Sequence, residues 1–102
     1  MDRKMMQQLQ QMQTKLMKAQ EELGNTDVEG TAGGGAVRVT MNGHRELRNL
    51  VISPEAVDPD DVETLQEMIV AAFNDASKKA QDLSESKLGG LTGGLPNIPG
   101  LF

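Results

Sequence analysis

Apolar and polar positions repeat with a helical period over the first 23 residues. Apolar side chains follow one another at alternating steps of four and three residues, the spacing of a helix that packs along one narrow seam. The seam residues are Met5, Leu9, Met12, Leu16, Ala19 and Leu23. Glutamines flank the seam, so the pattern predicts a helix over about residues 2–23, ended by a left-handed cap at Gly24-Asn25. A stripe this narrow needs a partner to cover it.

The period changes to two in the next part of the chain, which is typical of strands with one covered face. Small or apolar residues alternate with polar ones over 27–32 and again over 37–42. The glycine run 33–35 separates the two segments and predicts a turn. Asn42-Gly43 predicts a second tight turn, because both residues tolerate positive φ.

A third strand is predicted over about 45–52, with Leu50 and Ile52 as its inward-facing pair. Pro54 follows and is expected to end the sheet, because proline lacks the N–H group that a strand donates. Three strands joined by two short turns predict an antiparallel meander.

A second helix is predicted after the sheet. Asp58 is expected to cap its N terminus, with Pro59 at the first helical position. Apolar residues continue at helical spacing to about Lys87, and Gly89-Gly90 is expected to end the helix. At about 29 residues it would be roughly 43 Å long, against roughly 23 Å for a seven-residue strand. The helix must therefore overhang the sheet.

Side-chain size changes along this second helix. Its inward residues are large up to Phe73 and then mainly small, at Ala76 and Ala80. Small residues let another helix approach closely, and the seam of the first helix is the available partner. We therefore expect an α+β fold in which a long N-terminal helix, the meander and a long C-terminal helix form a body with a projecting two-helix arm.

The composition indicates a small core. Hydrophobic residues make up 37% of the 102 residues and only two side chains are aromatic, which favours self-association. We expect one domain over 1–88 and a flexible tail rich in glycine and proline over 89–102. The residues expected in the core or at a dimer interface are Val37, Val39, Leu50, Ile52, Ile69 and Phe73.

The sequence offers little catalytic or metal-binding chemistry. His44 is the single histidine and cysteine is absent, so we expect no catalytic residue, metal, cofactor or small-molecule substrate. The glycine run lacks the lysine and hydroxyl residue of a phosphate-binding loop. Asp58, Asp60 and Asp61 lack the spacing of a calcium loop, and helix capping accounts for them. Neither a signal peptide nor a bilayer-spanning apolar run is present, so we expect a cytoplasmic protein without membrane contact.

Three segments carry a family resemblance. They are 35–43, the strand end 50–54 and the helical segment 71–76. With the order of elements, the first helix rich in methionine and glutamine, and the tail that contains Phe102, they resemble the YbaB/EbfC family of bacterial nucleoid-associated proteins. The resemblance implies a homodimer whose helical arms grip double-stranded DNA like tweezers, in the nucleoid. It further implies a contribution to nucleoid organisation and gene regulation.

Charge placement supplies the candidate DNA contacts. The net charge of −5 opposes long-range attraction to phosphates, but the two helices that form the proposed arm carry basic residues. These are Arg3, Lys4, Lys15, Lys18, Lys78, Lys79 and Lys87. If about four phosphates are neutralised, the logarithm of affinity should fall with the logarithm of salt at a slope near −3.6.

A second function remains open. Met6 and Met17 lie outside the seam, and flexible thioether side chains suit adaptable protein-binding surfaces. The tail adds apolar side chains at Leu95, Ile98, Leu101 and Phe102. The alternative is therefore a protein-interaction adaptor, associated with recombination or replication, that binds DNA weakly or not at all.

Overall fold

Two long helices flank a three-stranded antiparallel sheet, as the computed structural model of residues 2–91 shows. The elements are helix α1 (Arg3–Asn25), strands β1 (Asp27–Ala32), β2 (Val37–Asn42) and β3 (Leu47–Ile52), a 3-10 turn (Pro54–Ala56) and helix α2 (Val62–Leu91). The strand order is β1-β2-β3, which confirms the predicted meander. The molecule extends 69 Å along its longest axis and 16 Å along its shortest. The α+β class and the overhang of the helices are thus confirmed.

Helix α1 begins where expected but ends differently. The Asp2 carboxylate accepts the backbone N–H of Lys4 at 3.3 Å and caps the N terminus. The helix continues through Gly24 and Asn25 and ends at Thr26 in an extended conformation, so the predicted left-handed cap is wrong. The Thr26 hydroxyl donates to the Glu22 carbonyl at 2.7 Å, which satisfies one of the last carbonyls without a left-handed residue.

The predicted alternation is confirmed by burial in β1 and β2, whereas β3 is exposed along most of its length. Val37 and Val39 are buried on one face, together with Met41. Val39 is paired with Gly30 on β1 and with Leu50 on β3, so these three residues lie on the same face. Helix α2 packs on the β1 and β2 part of that face. The core is therefore off-centre, and β3 is left outside it.

The turn between β2 and β3 has a different conformation from the predicted one. Gly43 does not have positive φ, and the left-handed residue is Arg45, with φ +63°. The Arg45 N–H donates to the Asn42 carbonyl at 3.0 Å, and the Asn42 N–H to the Glu46 carbonyl at 3.1 Å. The connection is thus a three-residue loop with a left-handed third residue. Position 43 requires glycine for another reason: there is no room for a side chain, because a Cβ there would lie 2.7 Å from the Leu23 carbonyl oxygen.

Helix α2 is displaced along the chain from its predicted position. Asp61, not Asp58, caps it by accepting the Thr64 N–H at 3.3 Å, while the Asp58 side chain accepts the Asp60 N–H at 2.9 Å within the preceding turn. The expected end at Gly89-Gly90 is also wrong, because the helix continues to Leu91. A helical glycine costs only about 1 kcal/mol, and tertiary packing overrides costs of that size.

Close contact between α2 and the sheet depends on small residues. Ala72 and Ala76 are fully buried, and a Cβ on Gly30 would collide with the Ala72 carbonyl oxygen and the Ala76 nitrogen. Ile69 is half-buried and packs against this cluster, as predicted. The absent Cβ of Gly30 therefore sets how close the helix lies to β1.

Phe73 and Leu50 are not covered by the core. Their exposures are 44% and 41%, so neither side chain is covered within one chain, and their place in the core or at a dimer interface stays a prediction. Phe73 lies in the same helical row as Ser77 and Gln81, the two residues of α2 to which Arg45 donates. This row faces the β3 side, where α2 does not cover the sheet. Ile52 at the end of β3 is half-buried.

The distal half of α2 packs against the α1 seam, as predicted. Ala19 and Leu23 of α1 are buried, and so is Ala80 of α2. The Lys87 ammonium lies 2.6 Å from the Glu22 carboxylate and joins the two helices. Residues 92–102, which include most of the predicted tail, lie outside the described part of the chain.

Candidate nucleic-acid interface

One flank of α1 carries exposed positive charge without acidic residues. No acidic residue occurs between Asp2 and Glu21, whereas four basic residues do. Lys4, Lys15 and Lys18 are 11 and 3 residues apart, close to whole helical turns, so they lie on one side of the helix. This side adjoins the seam, because Lys15 and Lys18 line clefts that α2 also lines.

The four basic side chains of α1 are exposed and unpaired. Within residues 2–91 no carboxylate lies within 4 Å of the charged groups of Arg3, Lys4, Lys15 or Lys18. Between them, exposed Gln7, Gln10, Gln11 and Thr14 line a shallow groove next to Lys15. The sequence pattern indicates only a helix-forming role for these glutamines. As donors of N–H groups at the level of the lysines, they extend the surface that an anionic chain can contact.

The predicted basic residues of α2 fall into two groups. Lys78 is exposed and lies midway between the buried residues Ala76 and Ala80, so it points away from the packed side of the helix. Lys79 instead reaches the sheet, where it donates to the Glu29 carbonyl at 2.8 Å and pairs with Asp75 at 3.3 Å. The structure thus places Lys78 and Lys79 on different surfaces although they are adjacent in sequence.

Lys87 is engaged in the contact between the helices. Its hydrogen bond and charge lower the pKa of Glu22, and the charge of Lys18 adds a smaller effect in the same direction. Lys18, Glu22 and Lys87 line one cleft between α1 and α2. Because Glu22 neutralises part of the positive charge at this point, the positive surface of α1 is strongest towards its N terminus.

The loop between β2 and β3 fixes the base of the arm. The Gly43 N–H donates to the Leu23 carbonyl at 2.8 Å, and Nε2 of His44 lies 2.8 Å from the Gln20 carbonyl oxygen. On the other side, the Arg45 guanidinium donates to the Ser77 carbonyl at 3.3 Å. One short loop therefore holds both helices. No sequence pattern marks Arg45, and only its positive φ and its contacts with α2 in the structure indicate this role.

Asn42 supports that loop from below. It is the buried polar residue of the described core, at 2% exposure. Its amide nitrogen donates to the Gly24 carbonyl at 3.1 Å, and its side-chain oxygen accepts the N–H groups of His44 and Glu46 at 3.0 and 2.9 Å. Because its donor and acceptor are both satisfied, Asn42 links the end of α1, β2 and the loop without an energetic penalty for burial.

The other sequence features form no reactive site in the described residues. The glycine run 33–35 makes the turn between β1 and β2, with all three φ angles positive. Within residues 2–91 no group of three or more potential ligands is arranged to hold a metal ion. None of the helices in this range is long and apolar enough to span a bilayer.

Comparison with known proteins gives consistent matches over nearly the whole chain. The sequence profile of the YbaB/EbfC DNA-binding family matches residues 1–95. The chain is 59% identical over 96 residues to a nucleoid-associated protein of Chloroflexus aurantiacus, and this alignment covers 94% of this chain and 96% of that protein. It is 60% identical over 98 residues to a nucleoid-associated protein of a Roseiflexus species, which covers 96% of each chain.

A solved structure has the same fold. The crystal structure of an uncharacterized protein from Helicobacter pylori superposes with a TM-score of 0.76 at 26% sequence identity. The match covers 89% of this chain and 97% of the other. The two long helices and the meander are therefore an arrangement shared by distantly related sequences.

Proposed function

The chain belongs to the YbaB/EbfC DNA-binding family, and from this premise we propose that two copies of it bind double-stranded DNA between their helical arms, mainly through backbone phosphates. The proteins similar to it are named nucleoid-associated, which supports a place in the cytoplasm on the nucleoid. The proposed roles are nucleoid organisation and gene regulation. The proposal involves no catalytic step.

The observation that carries the proposal is the surface of α1. Arg3, Lys4, Lys15 and Lys18 lie on a rigid rod, exposed and without carboxylate partners in the described residues. Lysine and arginine side chains reach phosphate oxygens over a broad range of geometries, so they position a protein on the duplex without reading bases. Most of the acidic residues behind the net charge of −5 lie outside the arm, so the arm is the part of the molecule that DNA approaches.

Four phosphate contacts predict a moderate dependence on salt. The expected slope of log affinity against log salt is about −3.6, with about 0.9 for each contact. We propose that these contacts, about two from each copy, are drawn from Arg3, Lys4, Lys15, Lys18 and Lys78. Lys79 and Lys87 are proposed to contribute less, because each already has a carboxylate partner.

The proposed dimer uses the uncovered part of the sheet. Leu47 and Leu50 of β3 are 55% and 41% exposed, and Phe73 faces the same side from α2. Apolar side chains gathered on one face favour association with a second copy. The edge of β1 is occupied by Asp75 and Lys79, whereas β3 is the open edge of the sheet. A dimer through β3 would place the two arms at a separation set by the sheets.

A charge-matched pair of variants tests DNA binding. Lys15→Gln with Lys18→Gln removes two unpaired cations from the arm. Arg38→Gln with Arg48→Gln removes the same charge from the sheet, where these side chains pair with Glu29 and Asp27 at 3.8 and 3.1 Å. In electrophoretic shifts at several salt concentrations, we expect the arm variant to bind more weakly with a shallower slope. Equal loss in both variants would contradict the arm as the binding surface.

The adaptor function has one observation in its favour. Met17 is 74% exposed and Met6 49% exposed, both outside the seam. If the wild-type protein fails to shift duplex DNA at low salt, and Met6→Gln with Met17→Gln abolishes capture of a protein partner, the adaptor becomes the better explanation. Binding of DNA by the Met6→Gln, Met17→Gln variant at wild-type affinity supports the DNA function.

A further inference from the structure

The seam of α1 is longer than the helix that covers it. Leu91, the last described residue of α2, lies beside Met12, and the two share a cleft with Gln8 and Gln11. Along α1 the seam residues are buried at Ala19 and Leu23 and half-buried at Met12 and Leu16. Beyond that level Met5 and Leu9 are 53% and 49% exposed. The seam thus continues for about two turns past its partner.

The chain itself supplies a segment at this place. Helix α2 runs antiparallel to α1, so the chain leaves Leu91 in the direction of Leu9 and Met5. Residues 92–102 follow, and none of them is charged. Apolar residues recur through this segment at Leu95, Ile98, Leu101 and Phe102.

We propose that residues 92–102 lie along the uncovered end of the seam and complete the arm in place of further helix. The distance from Met12 to Met5 is about 10 Å along the helix, whereas 11 residues span up to about 36 Å when extended. In the sequence of this segment apolar side chains alternate with glycines and prolines, and they match an apolar stripe that has nothing else against it in the described residues. This inference does not depend on DNA binding, although it would hold the end of the arm that carries Arg3 and Lys4.

Two engineered cysteine pairs test the proposal, because the chain has no cysteine of its own. The test pair is Met5→Cys with Leu101→Cys, and the control pair is Met17→Cys with Leu101→Cys. Leu91 lies at the level of Met12, and along the axis of α1 Met17 is closer to that level than Met5 is. Met17 is also more exposed than Met5, at 74% against 53%. An unattached segment would therefore reach position 17 at least as readily as position 5.

The measurement is the rate of disulfide closure within one full-length chain under a fixed oxidant. We expect the test pair to close at least about tenfold faster than the control, since docking raises the effective concentration at position 5. Adding Leu95→Ser and Ile98→Ser should reduce the rate of the test pair to that of the control. Equal rates in the two pairs would overturn the proposal.

A second copy is the other candidate occupant. Mixing the test-pair protein with a longer tagged form of itself separates the two cases. A product that joins tagged and untagged chains in preference to intrachain closure would show that the segment of another copy covers the seam, and this outcome would also overturn the proposal.

Discussion

Lys79 and Asp75 together cover the outer edge of the sheet. Nζ of Lys79 lies 3.3 Å from Oδ2 of Asp75, one helical turn earlier on α2. The same carboxylate accepts the Thr31 N–H at 3.1 Å, and the same ammonium donates to the Glu29 carbonyl at 2.8 Å. The pair thus binds an N–H and a carbonyl of β1 that a neighbouring strand would otherwise pair with. Exposed edges are sites of unwanted strand pairing, so this contact protects β1.

Asp75→Ala is expected to expose that edge. The Thr31 amide would lose its acceptor, so its hydrogen exchange should accelerate severalfold, and the protein should aggregate more readily on heating. Lys78→Ala is the matched control, since Lys78 lies next to Lys79 but makes no contact with the sheet in the described residues. Unchanged exchange at Thr31 in Asp75→Ala would show that the edge is protected by other means.

Leu50→Glu is expected to give a monomer. A charge on the uncovered face of β3 would have to be desolvated in the proposed dimer, which is costly. Val51→Glu is the control, because Val51 is the next residue of β3, is 50% exposed and points to the opposite face. Light scattering at micromolar concentration should report a monomer mass for Leu50→Glu and a dimer mass for wild type and Val51→Glu. A monomer mass for wild type would contradict the dimer itself.

Gly30→Ala is expected to destabilise the fold strongly. The added Cβ would meet backbone atoms of Ala72 and Ala76, which cannot move without displacing α2, and overpacking of this kind costs about 3 kcal/mol or more. Gly90→Ala is the control, because nothing lies within 4 Å of a Cβ at that helical position. It should stabilise the protein by up to about 1 kcal/mol. Chemical denaturation measures both, and a change below about 1 kcal/mol in Gly30→Ala would contradict the close approach.

Paired and unpaired lysines should differ in their effect on DNA affinity. Lys18→Gln removes an unpaired charge from each of the two copies in the proposed dimer and is expected to make the salt slope shallower by up to about 1.8, the value for two phosphates. Lys87→Gln removes a charge already bound to Glu22 at 2.6 Å, so the slope should change less. Both variants have the same net charge, which makes fluorescence anisotropy titrations directly comparable. An equal effect of the two substitutions would show that the ion pair opens on binding.

Acid should weaken the contact between the helices. Lys87 lowers the pKa of Glu22 in the folded protein, so the pair stabilises the fold above the unfolded-state pKa of about 4.3. This stabilisation is lost as the pH falls through the lower folded-state value. Lys87→Met should raise the pKa of Glu22, as measured by carboxyl-carbon chemical shifts during an acid titration. The difference in stability between wild type and Lys87→Met should shrink below about pH 4. A Glu22 titration that is unchanged in Lys87→Met would contradict the assignment of this shift to the ion pair.

Local patterns predict most of the fold. The four- and three-residue spacing from Met5 to Leu23 marks α1, and the alternation around Val37 and Val39 marks the strands. These signals are sufficient because side-chain period follows directly from backbone geometry. The predicted ends of the elements are less accurate. The start of α2 after its cap Asp61 and its continuation through Gly89 depend on small energy differences, which contacts between elements reverse.

The sequence alone therefore determined the order and type of the elements, the family resemblance and the concentration of basic residues on the two helices. Only the tertiary structure decided which of those residues are unpaired. Lys78 and Lys79 are adjacent in the chain, yet one points outward from the arm and the other holds the sheet edge through Glu29 and Asp75. The tertiary structure likewise decides that Phe73 is exposed. Periodicity shows that a side of a helix is apolar, but whether that side is covered depends on elements distant in sequence.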